Sequence, residues 1–170
     1  MGSFGGVAWL LLLGACLLLV PGAARAQIES APLARDWNLR VGLFIPQMHA
    51  ARAASSDVGF SGMVERTVNR GQDYDINVGI GYNGWDSVYS VPVMVNGIWH
   101  HNFARYGFGA GYAFGKRISG RSMQGAVIGL LLGYEVSHGR NPVSVDLRYN
   151  FISGANNELD GYSLTVGTQF

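Results

Sequence analysis

Residues 106–114, YGFGAGYAF, decide how the rest of the chain reads. Tyr106, Phe108, Ala110, Tyr112 and Phe114 occupy every second position, with Gly107, Gly109, Gly111 and Ala113 between them. A period of two is the pattern of a β-strand. Three glycines two apart would cost a helix about 1 kcal/mol each. In a strand they empty one face, and an emptied face suits the crowded inside of a narrow barrel.

Seven more segments alternate in the same way, separated by turn residues, and nothing after Gln27 holds a helical period over three turns. In 37–45, Trp37, Leu39, Val41, Leu43 and Ile45 oppose Asn38, Arg40, Gly42 and Phe44. In 58–69, Val58, Phe60, Val64 and Val68 oppose Ser61, Glu65 and Thr67. Segment 73–83 sets Tyr74, Ile76, Val78, Ile80 and Tyr82 against Asp75, Asn77 and Gly79. Segment 88–99 sets Tyr89, Val91, Val93, Val95 and Trp99 against Ser90, Pro92, Met94 and Asn96. In 123–136, Ile128, Leu130, Leu132 and Tyr134 face away from Gly129, Gly133 and Glu135. In 143–152, Val145, Leu147, Tyr149 and Phe151 face away from Ser144, Asp146 and Arg148. The last, 162–170, ends in Phe170. Eight antiparallel strands close without an edge. Pro92 cannot donate to a ladder, so a bulge is expected there.

The 170 residues are one domain's worth, and only 14% are charged against the ~25% usual in soluble domains. The formal net charge of +1 offers no basic field to nucleic acid. The apolar run 7–20 is followed by Pro21-Gly22 and then Ala24-Arg25-Ala26, the layout of a cleavable signal peptide over 1–26. The run is short for a membrane helix. Leu13-Gly14-Ala15-Cys16 has the look of a lipidation box, but Leu17–Val20 continues the apolar run behind it. Cleavage after Ala26 removes the only cysteine and leaves acidic and basic residues in balance. The remaining organisation is an N-terminal lead, 27–36, and a barrel domain, 37–170.

The composition of the two faces decides what each one meets. A barrel in water shows a charged exterior. Here the face opposite the apolar one is built mostly of Gly, Ser, Asn and Thr, which fits a small polar lumen with lipid outside. The connections divide into a short-turn end (70–72, 100–103 and 137–142) and a loop end (46–57, 84–87, 115–122 and 153–161). Aromatics gather near both, with Trp37, Trp99, Tyr106 and Phe170 at the first and Tyr82, Trp85 and Phe114 at the second. Two such belts are what membrane interfaces attract.

With its leader, eight alternating segments and last strand YSLTVGTQF (162–170), the chain resembles the small bacterial outer-membrane β-barrel superfamily of the OmpA/OmpX-like type. The resemblance implies an all-β, eight-stranded antiparallel up-and-down transmembrane barrel in the cell outer membrane. It also implies outer-membrane lipid and the barrel-assembly machinery as partners, the latter reading the C-terminal strand that ends in Phe170. Its motifs are architectural, so no surface ligand and no cofactor follow from them.

Inward parity collects Arg40, Glu65, Asp75, Glu135, Asp146 and Arg148. Asp146 and Arg148 share a face and are expected to pair. The reading adopted is an ion-pair plug, because buried charges demand partners. Four carboxylates against two arginines also suggest a narrow cation path. Arg66 has outward parity and is expected to reach toward head groups. No catalytic or metal site follows. Ser137 and His138 are adjacent and so point oppositely, His100-His101 falls in a turn, and His49 lacks ligand partners at metal spacing. The expectation is a non-enzymatic barrel with a structural or surface-interaction role, its loops 46–57 and 153–161 carrying any binding. The alternatives are a periplasmic lipocalin-like carrier of an apolar ligand and a lipid-modifying outer-membrane enzyme.

Overall fold

The computed structural model describes residues 36–54, 56–137 and 141–170, so the leader expected over 1–26 lies outside the described residues. Eight strands follow in order: β1 Trp37–Pro46, β2 Gly59–Arg70, β3 Tyr74–Trp85, β4 Val88–His101, β5 Ala104–Lys116, β6 Ser122–Ser137, β7 Val143–Ile152 and β8 Gly161–Gln169. Each lies within two residues of its sequence segment. Every strand pairs antiparallel with its chain neighbour, and β1 pairs with β8, so the sheet closes. The seam is locked at its end by Trp37 and Phe170, whose amides donate to each other's carbonyls at 3.2 and 3.0 Å.

Side chains divide as the alternation requires. Phe108 and Leu130 are 58% and 59% exposed, while Glu65 and Asp146 are 0% and 1% exposed. Leu39 and Val78 also lie on the outward face, on strands where every inward neighbour is buried or small. The greasy side of each strand points away from the barrel axis.

Three local expectations need correction. No bulge forms at Pro92: β3 and β4 keep one register on both sides of it, from Ile80 opposite Val93 to Asn83 opposite Ser90. The ring is instead received by Gly81 across the ladder, where a Cβ would sit 3.3 Å from Pro92 Cγ. The register shifts fall near the short-turn end, at Thr67/Asn69 and Glu135/Ser137. In the first long loop, His49–Ala54 forms a short helix, α1. Its alanines favour helix, Ala51 is buried against the barrel, and Arg52 Nη1 donates to Pro46 O at 2.9 Å. Finally, β4 runs through His101, so His100 and His101 end a strand and do not form the turn.

The lumen is polar along only part of its length. Val88, Met94, Ala113, Met123, Val127 and Ile152 form an apolar cluster that Ala155 and Leu159 of the β7–β8 loop complete. A barrel mouth covered by its own loop excludes water, so apolar side chains pack there as in any protein interior.

Close backbone approach inside the narrow cylinder generates a prediction. A Cβ at inward Gly111 would lie 1.9 Å from Val93 O, a backbone atom, whereas at outward Gly62 it would meet only the Phe60 ring edge at 2.9 Å. Gly111→Ala is expected to destabilise the barrel by about 1–3 kcal/mol and Gly62→Ala by much less, as read from urea unfolding midpoints.

Candidate functional site

At mid-barrel, five strands deliver one charged cluster. Arg40 on β1 bonds Glu65 on β2 through Nη1, and its Nε donates to Asp146 Oδ2 on β7 at 3.0 Å. Glu65 Oε1 accepts from Asn96 Nδ2 on β4 at 2.7 Å and faces Arg148 Nη2 at 3.5 Å. Arg148 also donates to Asn96 Oδ1 at 3.3 Å. Ser144 Oγ donates to Asp146 Oδ2 at 2.9 Å, and Arg105 Nη1 on β5 lies 3.6 Å from the same oxygen. Burying one such charge alone costs several kcal/mol, and only a nearly complete set of partners offsets that.

Glycine makes room for these groups. Glu65, Arg40, Asp146 and Asn96 stand in register opposite Gly79, Gly167, Gly133 and Gly109. A Cβ at those glycines would lie 2.5 Å from Glu65 Cγ, 2.7 Å from Arg40 Cγ, 1.9 Å from Asp146 Oδ1 and 1.9 Å from Asn96 Oδ1. Each long polar side chain thus lies across a neighbouring strand position that carries no side chain.

Of the six lumen residues read from the sequence, Arg40, Glu65, Asp146 and Arg148 meet in this cluster. Asp75 does not. Closer to the short-turn end, it takes Arg70 Nε at 3.2 Å and His100 Nε2 at 3.3 Å. Glu135 lines a small polar cavity with Arg40, His100, Arg105 and Ser144. The expected Asp146–Arg148 pair is not made. Arg148 reaches across the lumen to Glu65, and Asp146 is taken by Arg40 and Arg105. Arg105 was missed, although it shares the parity of Gly107, Gly109 and Gly111 and that signal was legible. Counting it, together with Arg70, which pairs with Asp75 at 3.2 Å, sets four guanidiniums (Arg40, Arg70, Arg105 and Arg148) against the four carboxylates, so the acid excess that suggested a cation path is gone. Among the described residues, two cavities of the polar lumen that Arg40 lines hold about 10 Å³ each, room for about one water.

The outward belts are assembled by cross-strand contact. Near the short turns, Trp99 stacks on Tyr106 and Phe108 at 6.4 and 5.6 Å, and Phe103 stacks on Tyr134 at 5.7 Å. Arg66 Cζ lies 5.9 Å from the Trp37 ring, a cation–π contact that holds the outward guanidinium at the rim. Trp37 and Phe170 are exposed beside the seam. Near the loops, Tyr82 stacks on Tyr89 at 5.7 Å, Tyr149 meets Tyr162 at 4.9 Å and Phe114 meets Tyr112 at 5.3 Å, with Trp85 exposed above.

The loops at that end are folded down. The Glu158 carboxylate bonds Arg117 Nη2 and accepts from the Ile118 amide at 3.0 Å, joining the β7–β8 loop to the β5–β6 loop. Asp160 Oδ1 accepts from Ile152 N at 2.7 Å, and its carbonyl accepts from Gln47 N at 2.8 Å. Asn156 and Asn157, at positive φ of 49° and 62°, turn the exposed tip. Ser137 Oγ accepts from Val143 N at 3.2 Å, and His138 lies outside the described residues. Compared with family models, curated proteins and solved structures, the chain matches none of them.

Two predictions follow from these contacts. Glu65→Gln leaves two buried guanidiniums short of a counter-charge and is expected to cost about 3–5 kcal/mol. Asp57→Asn, at an exposed carboxylate 3.9 Å from Arg52, is expected to change the urea midpoint negligibly. The second concerns acid. The Arg117 bond holds the Glu158 carboxyl below its ordinary 4.5, so its hold on the loop is complete above that value and is lost as pH falls through the lowered one. Burial pushes the Asp160 carboxyl up, against the pull of the Ile152 amide, so acid neutralises Asp160 without a comparable loss. Hydrogen-exchange protection of the Ile118 amide is expected to fall as acid protonates Glu158 while that of Ile152 persists, and Glu158→Gln should lower the Ile118 value at neutral pH and remove its acid dependence.

Proposed function

We propose that this chain is an outer-membrane β-barrel of the small OmpA/OmpX-like type, with a structural and surface-interacting role and a lumen closed to solute flow. The observation that carries the reading is the inversion of polarity: a charged, hydrogen-bonded interior inside a continuous apolar exterior. Soluble monomers rarely expose apolar patches beyond a few hundred Å², and this one encircles the molecule. A ten-residue strand such as β1 or β7, tilted by ~40°, spans about 25 Å, the height of the apolar band of outer-membrane barrels. The two aromatic belts sit where interfaces would hold them. A carrier of an apolar ligand needs an apolar cavity, and a charged cluster occupies the middle of this lumen.

In this reading the short turns face the periplasm, the leader directs export, and the last strand with Phe170 is what the assembly machinery engages. Surface interaction then belongs to the loop end, to α1 and the exposed tip at Asn156 and Asn157, because the lipid face and packed lumen leave little freedom to vary. No catalytic step is assigned to the barrel.

Fractionation after expression in a double-membraned bacterium tests the proposal. The protein is expected to remain with outer membranes through salt and alkaline washes and to leave them only in detergent. Unboiled, the folded barrel should run faster on a denaturing gel than the boiled chain. Release into the aqueous fraction without detergent would overturn the membrane reading and favour the periplasmic carrier.

A further inference from the structure

On the outward wall at the loop end lies an open cleft of about 540 Å³, lined by Phe60, Tyr82, Gly84, Trp85 and Asp86. Its floor is bare backbone. Gly84 has φ +145°, and a Cβ there would sit 2.4 Å from Val88 O, so no side chain can fill the space. Its walls are aromatic: the Phe60 and Tyr82 rings are 6.3 Å apart and tilted by 38°, Tyr89 backs Tyr82, and Trp85 is 56% exposed. At the rim, Asp86 is exposed in the β3–β4 turn and is the only charged residue of the lining.

Aromatic faces carry negative quadrupole charge and attract a cation that comes within about 6 Å. A carboxylate at the edge adds to that attraction. The nearby charges do not cancel it. Asp57, just before β2, is exposed and lies 3.9 Å from Arg52, so that pair adds no net charge. Lys116 pairs in register with Tyr89 but runs toward Gly120, where a Cβ would lie 3.9 Å from its Cε. Along the wall toward mid-barrel, outward Ile80 and Val64 stand side by side in register, both exposed. A cationic group in the cleft therefore has an apolar track leading from it.

We propose that this cleft binds the ammonium head group of an amphiphile at the membrane surface, with its hydrocarbon chain lying against Ile80 and Val64. The proposal rests on the outer-membrane reading, which puts lipid at this wall. Aromatic rings supply the cation site, Asp86 supplies the counter-charge, and the wall supplies contact for the chain.

The test uses the barrel folded in neutral maltoside micelles with 5-fluorotryptophan incorporated. Trp37, Trp85 and Trp99 of the barrel then give three fluorine resonances, any line from Trp9 in the leader being set aside by its loss in Trp9→Phe, and Trp85 is assigned by its loss in Trp85→Phe. Trp37 and Trp99 report from the opposite end of the barrel. Dodecyltrimethylammonium is expected to shift the Trp85 line saturably while the other two stay still. Asp86→Asn keeps the turn, because Asn tolerates the left-handed φ of 52°, and should weaken the response roughly tenfold. A neutral dodecyl ether and free tetramethylammonium are expected to give no saturable shift at the same concentrations. Movement of all three lines together, an equal shift with the neutral ether, saturation by free tetramethylammonium, or an unchanged titration in Asp86→Asn would each overturn the proposal. A barrel that needs detergent for extraction but whose Trp85 line does not respond sinks this inference alone. A barrel that needs no detergent sinks the membrane reading beneath it.

Discussion

An eight-stranded cylinder has too little interior for every inward position to carry a side chain, and the structure depends on how that shortage is met. Long polar groups lie across empty positions on the next strand. Glu65 occupies the space over Gly79, Arg40 that over Gly167, and Asp146 that over Gly133. Each pairing couples a charge on one strand to a glycine on its neighbour, and each charge in turn reaches a third strand for its partner. The glycine pattern and the ion cluster are therefore one device. Remove the glycines and the charges have no room; remove a charge and its partner is left in a medium that penalises it.

The lumen consequently has two physical regimes. At mid-barrel, electrostatics holds β1, β2, β4, β5 and β7 together through groups that are almost fully buried. Toward the loops, Met94, Met123, Val127 and Ile152 pack under Leu159, and dispersion and water exclusion replace charge. Polar contact also persists nearer the loops than Met94, where Asn83 accepts from both Ser61 and Ser163. The loops belong to this packing as much as to the surface. Glu158 and Asp160 fix one loop to its neighbours, and α1 covers another side of the mouth. Binding at this end would have to use the exposed tip and the rim.

How much was legible can be judged residue by residue. The strand bounds were, because alternation is written in consecutive residues and needs no knowledge of neighbours. Arg40, Glu65, Asp146 and Arg148 were readable as inward by parity, and Arg105 carried the same signal next to an expected turn. Their pairing was not readable. Two residues on one strand face look like partners on paper, yet Arg148 meets Glu65, 83 positions away in the chain, because closure brings opposite walls within reach. Pro92 shows the same limit. Its missing donor argued for a bulge, but only the register reveals Gly81 across the ladder.

The amino-acid order alone determined the period, the number of strands and the side of each strand that is apolar, since all of these follow from local alternation and turn chemistry. Tertiary structure decided which charges neutralise which, where the lumen turns from polar to apolar, and that a loop closes one end. Those outcomes depend on distances across the cylinder. Such distances exist only once β1 has met β8.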